Sequence, residues 1–459
     1  TSSVAGTIHT VTGTDNTSLT GASSNITTVP GPAAKYIVGA NRYNPVAGDT
    51  VGIRAQLADM NNNPVATAGI MVTWTKTGAG GSFGSPTSTT DANGAATVVF
   101  TTSTTAGTVY TVTGTDATPF TGATPNITTV PGAATKYLVT SSGYSPVAGA
   151  IVTITAQLAD SNNNAVSTAG KTVTWTKTGA GGSFGSATST TNASGVATVV
   201  FTTGTTAGTV YAVTGTDNTG LTGTAPNITT VVGAASKYVV SAHRYNPVAG
   251  DTVGIVAQLT DTYGNAVSTS GKTVTWTKTG TRGSFGSATS TTDARGLATV
   301  VFTTDTVAGT VYTVTGTDNT SLTGTSANIT TVPGAATKYL VTSSNYSPIF
   351  GTAVTITAQL SDVNNNAVPT AGKTVAWTST NGGSFGSPTG TTNANGIATV
   401  SFTTSSDVST VHTVTATDDT SLTGTSANIT TVAGPPTKYI LSVSRTSPVA
   451  AGPCGWHGR

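Results

Sequence analysis

The sequence predicts an all-β protein assembled from tandem antiparallel β-sandwich domains, and three observations lead there. One motif set recurs about every hundred residues. Trp74, Trp175, Trp276 and Trp377 each stand in a V-x-W-T context at a constant step of 101, and Tyr36, Tyr137, Tyr238, Tyr339 and Tyr439 keep almost the same step in a K-Y-[ILV] context. A period of that size is a whole small domain, larger than the roughly 20–50 residues of a solenoid unit. Composition opposes helix: charged residues make up 7% of the 459, all 16 acidic residues are Asp, and Thr, Val, Gly and Ser dominate, which suits strands and tight turns. Finally, apolar and polar residues alternate within each repeat, the pattern of a half-buried strand.

The repeat at 132–232 shows each element in order. Ala134 to Thr140 reads as a first strand, and Pro146 punctuates the turn after it. From Ile151 to Leu158 one face carries Val152, Ile154, Ala156 and Leu158, and the other Thr153, Thr155 and Gln157. Asp160 to Asn164 is a turn cluster. Lys171 to Lys177 is a strand with Val173 and Trp175 inward, followed by a Gly-rich stretch around Phe184 and a turn at Asn192 to Gly195. Ala197, Val199 and Phe201 share a face, as do Tyr211 and Val213, and Asn227 to Val231 closes the unit. About seven short strands separated by turns describe a sandwich. The phase divides the chain into 1–31, the final strands of a partial repeat; whole repeats at 32–131, 132–232, 233–333 and 334–433; and 434–459, an opening strand followed by a tail foreign to the repeat. Thr1 is not a start methionine, so the sequence reads as processed or as part of a longer array.

Two details make the expected sandwich immunoglobulin-like. A single Trp sits on the third strand, where it can fill the centre between the sheets. A Tyr precedes an inward Val by two residues, as in Tyr110-Thr111-Val112, the Y-x-C spacing of an immunoglobulin sixth strand with Val for Cys. His9 and His412 replace this Tyr in two units, so the reading is that its corner hydrogen bond is dispensable there. The only cysteine, Cys454, lies in the tail, so each repeat must rely on its own core, which about 100 residues can supply.

At this point the chain resembles the bacterial Ig-like domains of invasin- and intimin-type surface proteins. The matching residues are V-A-G-D-T-V at 46–51, A-Q-L-A-D-M-N-N-N-P-V at 55–65, V-T-W-T at 72–75, G-G-S-F at 80–83 and T-D-A-N-G-A-A-T-V-V-F at 90–100. The resemblance covers each full repeat. It implies a stalk that holds an adhesive tip away from a cell surface, although no tip domain, outer-membrane barrel or wall-binding segment is present in this sequence.

A net charge of +2 gives no electrostatic footprint for nucleic acid or anionic lipid. No apolar run reaches the ~18 residues a bilayer span needs. The D-x-N-x-N runs Asp59/Asn61/Asn63, Asp160/Asn162/Asn164 and Asp362/Asn364/Asn366 read either as the start of a calcium loop, oxygen ligands at alternate positions, or as hairpin turns built by Asx residues alone. They lack the Glu that completes a calcium loop, and the third repeat breaks the run as Asp261-Thr262-Tyr263-Gly264-Asn265. Asp15, Asp116, Asp217, Asp318 and Asp418 recur, no His or second carboxylate recurs beside them, and they read as Asx turns. The four histidines, His9, His243, His412 and His457, form no constant pair at metal-ligand spacing. No acid, base or nucleophile set recurs, so no catalytic residue is assigned. N-x-[ST] sequons recur as N-I-T at Asn25, Asn126, Asn227, Asn328 and Asn428, with others at Asn16, Asn192, Asn319 and Asn345; each is either a glycan acceptor on an exported chain or a strand residue facing solvent.

The expectation is therefore a structural extracellular protein: a rod, stalk or filament segment on a prokaryotic cell surface, needing no cofactor beyond the calcium alternative. Its expected partners are adjoining repeats or copies of itself, head to tail. The alternative is an adhesin whose loops bind a host receptor or glycan, with the third repeat, which carries Tyr263, Arg282 and Arg295, as its most divergent unit.

Overall fold

The structure, a computed structural model, describes residues 2–442. Those residues contain strands and no helix, and the chain divides into two compact units, the first ending at Val232 and the second starting at Gly233. Four separate buried clusters, one per full repeat, form the cores.

In the repeat at 132–232 one sheet runs in the order Lys136–Ser141, Ile151–Ala159, Val196–Thr202, Ser183–Phe184. The facing sheet runs Thr188–Thr190, Thr172–Lys177, Val213–Asp217, Thr222–Thr224. A two-stranded ladder joins Val210–Tyr211 to Ile228–Thr229, and all these pairings are antiparallel. Two four-stranded sheets facing each other are an immunoglobulin-like sandwich. The first strand starts at Lys136 rather than Ala134, and the units hold more, shorter strands than the sequence suggests. The strand expected around Tyr211 and Val213 is interrupted at Ala212, whose N–H bonds Thr178 Oγ1 at 3.0 Å, and the two halves pair with different neighbours.

The alternation places side chains as expected. Val152, Ile154, Ala156 and Leu158 are buried with Val173, Trp175, Ala197, Val199, Phe201, Tyr211 and Val213. Phe184, Phe201 and Tyr211 stack as a column with centroids 5.1 Å apart at each step, adding directional aromatic contact to plain burial. Two glycines are required by close approach. A Cβ on Gly215 would lie 3.0 Å from Trp175, and one on Gly223 would collide with the Tyr137 carbonyl, where the two sheets converge. On the outer face Thr188, Thr174, Thr216 and Thr222 fall in one register row, and Thr216 and Thr222 share a hydrogen bond of 3.0 Å.

The corner bond is kept in the fourth repeat, contrary to the sequence reading. Tyr211 Oη donates to Ala180 O at 2.9 Å and accepts from Gly204 N–H at 2.8 Å. The buried His412 spans the same gap: Nδ1 meets Thr380 O at 3.0 Å and Nε2 accepts from Ser405 N–H at 3.3 Å. An imidazole with Nδ1 protonated has one donor and one acceptor, the same pair a phenol offers.

The partial repeat at the start forms two ladders, Ile8–His9 with Ile26–Thr27 and Thr12–Thr14 with Thr20–Ala22, and its apolar residues Ile8, Val11 and Leu19 are exposed. The expected opening strand at 434–452 is not a strand over 434–441, where Tyr439 is 83% exposed, against 3% for Tyr137, which is covered by its paired second strand and facing sheet. Residues 443–459, including Cys454 and His457, lie outside the described residues.

The fourth repeat has one defect. Trp74, Trp175 and Trp276 each donate Nε1–H to a Ser Oγ at 2.9 Å. Gly390 takes the place of that Ser, and the buried Trp377 Nε1 has no partner. A Cβ at Gly390 would make only ordinary contacts of 3.4 Å and longer. Gly390→Ser is expected to stabilise this repeat by about 1 kcal/mol, the usual net worth of a hydrogen bond. Urea unfolding of the two proteins measures it, and equal midpoints would refute it.

Candidate functional site

The D-x-N-x-N turn follows the second strand of its repeat, which ends at Ala159 in the repeat at 132–232. Asp160 Oδ1 accepts from the Asn162 and Asn164 N–H groups, both at 2.9 Å. Its other oxygen accepts Asn164 Nδ2 and the Gly132 N–H, each at 2.9 Å. Asn163 takes φ +68°, a left-handed conformation that Asn tolerates better than most residues; Gly264 fills that position in the third repeat at +89°. The same pattern surrounds Asp59, Asp261 and Asp362, which hold the N–H groups of Gly31, Gly233 and Gly334 at 2.9–3.0 Å. Each Asp thus closes its own turn and pins the linker that enters its repeat.

The last Asn of the turn reaches into the preceding repeat. Asn164 Nδ2 donates to Thr104 O at 2.9 Å, while Asn164 Oδ1 accepts the Ala106 N–H at 2.8 Å. Asn366 makes the same pair with Thr306 O and Ala308 N–H at 2.9 and 2.8 Å. Asn63 makes it with Ser3 O and Ala5 N–H at 2.9 and 2.8 Å. This holds the opening fragment on the repeat at 32–131. A carboxamide matches a peptide group in donor and acceptor spacing, so the contact imitates a rung of β-ladder. Asn364 adds a longer bond, Nδ2 to Ala249 O at 3.4 Å. The linker glycine is wedged beneath: a Cβ on Gly132 would lie 3.3 Å from Val46 Cγ1 and 3.5 Å from Asp160 Oδ2, and Gly334 is placed likewise against Val248.

This environment sets the carboxyl titration. The Asn63 amide and the Gly31 N–H hold the Asp59 carboxyl down at about 2. Burial works to raise Asp160, Asp261 and Asp362, and hydrogen bonds from the turn Asn and the linker glycine outweigh it, leaving all three below the ordinary value. The oxygens of Asp59, Asp160 and Asp362, and the amide oxygens of Asn63, Asn164 and Asn366, all face N–H donors. Asn61, Asn162 and Asn364 join the turn through their own N–H groups. Among the described residues no three His, Cys, Asp or Glu side chains gather as a metal-binding group.

The recurring Asp after the sixth strand has a partner that spacing alone does not show. Asp217 Oδ1 closes a turn with Thr219 and Leu221. Its Oδ2 accepts the Tyr137 hydroxyl at 3.3 Å from 80 residues away. Asp116, Asp318 and Asp418 pair likewise with Tyr36, Tyr238 and Tyr339. Burial and then the nearby carboxylate push the Tyr137 phenol up to about 12. Asn126, Asn227, Asn328 and Asn428 are exposed; Asn192 and Asn345 use their side-chain oxygens in their own turns. The described histidines His9, His243 and His412 are not brought together as a metal-binding group.

No protein-family model matches the chain, and no curated protein matches it. Solved structures do. The Escherichia coli adhesin FdeC is 23% identical over 65% of this chain and 99% of its own, with a TM-score of 0.35. Invasin, a bacterial integrin-binding protein, is 19% identical over 89% of this chain and 82% of its own, with a TM-score of 0.31. InvD of Yersinia pseudotuberculosis is 19% identical over 66% of this chain and all of its own, with a TM-score of 0.28. No helix among the described residues is long and apolar enough to cross a membrane.

Asn164→Ala is expected to leave the melting of the repeats at 32–131 and 132–232 almost unchanged and to increase their relative motion, measured by residual dipolar couplings on the two-repeat unit. Unchanged couplings would count against the bridging role. Acid should act in the same direction: a carboxyl held below its unfolded value of 3.8 stabilises the folded form at pH values above that value and loses the contribution as pH falls towards about 2. Amide exchange at Gly31 followed from pH 5 to pH 2 would show it. Adding EDTA or calcium is expected to leave the melting temperature where it was, and a calcium-dependent rise would show that a cation enters the turns.

Proposed function

We propose that this chain is a structural extracellular protein, a rod, stalk or filament segment on a prokaryotic cell surface. The carrying observation is the bridge made by Asn63, Asn164 and Asn366, which joins a repeat to the one before it through two hydrogen bonds to backbone. A flexible string of domains needs no such contact, whereas a strut does. The short linkers and the glycines beneath each turn support the same reading. The four full repeats have separate cores, so length can be added by duplication without redesigning any fold. Adjoining repeats or further copies, head to tail, are the partners this reading names, and it uses neither a cofactor nor a catalytic group.

A second reading, a loop-borne adhesive contact, is favoured in one repeat. The third repeat exposes Tyr263 at 53% and leaves the Arg282 and Arg295 side chains 67% and 83% accessible. An aromatic and two guanidinium groups are the residue types that anchor protein interfaces. A host receptor or glycan would be the partner there.

Small-angle scattering tests the first reading. Four repeats at about 35–40 Å each, from the strand rise, give an expected maximum dimension of roughly 150 Å. A compact particle, with a dimension close to that of a sphere of this mass, would overturn the rod.

A further inference from the structure

We propose that Asn126, Asn227, Asn328 and Asn428 are acceptors of N-linked glycan, one in each full repeat. All four are exposed and sit in the non-strand segment before a two-residue strand such as Ile127–Thr128. The Ile that follows each is fully buried and fixes the direction in which the segment leaves the sandwich. Asn227, Asn328 and Asn428 make no hydrogen bond among the described residues, and Asn126 only accepts one, from Thr111 Oγ1 at 3.2 Å. Their amide N–H groups are unused.

The structure thereby separates the N-I-T sequons from those at Asn192 and Asn345. Asn192 Oδ1 accepts the N–H groups of Ser194 and Val196 at 2.9 and 3.0 Å, and Asn345 Oδ1 accepts Ser347 N–H at 2.9 Å. Those carboxamides hold turns. The N-I-T carboxamides close no turn, yet the residue is the same in all four repeats while the residue before it varies between Pro and Ala. A side chain with no fold role and no variation among the repeats, next to a hydroxyl two residues on, matches an oligosaccharyl acceptor. The low charge gives the modification a use: with 7% charged residues, hydration must come from neutral groups, and a glycan on every repeat supplies it.

The reaction is a group transfer from a polyprenyl-diphosphate-linked oligosaccharide, catalysed by the host's transferase. The Asn carboxamide nitrogen forms a bond to the anomeric carbon of the sugar. The bond from that carbon to the diphosphate oxygen breaks, and the amide proton leaves with the diphosphate.

The test is glycopeptide mass spectrometry of the full chain isolated from its natural host, with and without enzymatic removal of glycans in heavy-oxygen water. Glycan at Asn126, Asn227, Asn328 and Asn428, with Asn192 and Asn345 bare, is the expected result. Unmodified peptides at the four N-I-T sites overturn the proposal. Modification at Asn192 and Asn345 to an equal extent would overturn the structural distinction on which it rests.

Discussion

A backbone that passes from one sandwich to the next leaves peptide groups with no sheet to pair with, and buried peptide groups need partners. The Asp–Asn turn is how this chain meets that constraint. One carboxylate accepts four N–H donors, two from its own turn, one from the amide of the terminal Asn and one from the incoming linker. With the carboxylate fixed, the Asn amide is oriented and can complete the loop of the previous repeat. The linker, turn and neighbouring loop thus become one hydrogen-bonded body built from a five-residue motif. Asn63 and Asn366 repeat the arrangement at two further junctions.

Inside each sandwich the same economy holds without cysteine. The Trp fills the centre, Val213 stands where an immunoglobulin disulfide would, and Phe184, Phe201 and Tyr211 form an aromatic column beside it. Polar atoms brought into this core are paired at both ends. The Tyr211 hydroxyl bridges two loops, and the Tyr137 hydroxyl meets Asp217. The fourth repeat tolerates two departures from this scheme for different reasons. His412 substitutes for Tyr because its two ring nitrogens reproduce a donor and an acceptor. Gly390 substitutes for Ser at the cost of an unpaired indole N–H.

The outer faces are maintained by hydroxyls rather than ions. Cross-strand Thr pairs such as Thr214–Thr224 and Thr315–Thr325, both at 2.8 Å, link neighbouring strands, and β-branched Thr also favours the extended backbone. The ion pairs are few and mostly exposed, as with Arg42–Asp49 and Arg244–Asp251, and such pairs contribute little. Solubility and strand propensity are therefore served by one residue type, which accounts for a composition so poor in charge.

The period, the inward faces and the central Trp were legible in the sequence, because alternation and turn residues report local geometry directly, whereas strand limits such as the break at Ala212 were not. The sequence also marked the recurring Asp as a turn residue and left the D-x-N-x-N runs between a calcium loop and a hairpin turn. It did not reveal that Asn164 bonds residues about 60 positions earlier, or that Tyr137 meets Asp217 from 80 positions away. The same motif letters fit a free hairpin and an inter-repeat bridge, and only the packing of one repeat on another distinguishes those two. Likewise both kinds of Asn fit the one N-x-[ST] pattern, and the fold separates them by what each carboxamide touches. Local pattern fixes which way a side chain faces; its partner is fixed by which distant backbone the tertiary structure brings there.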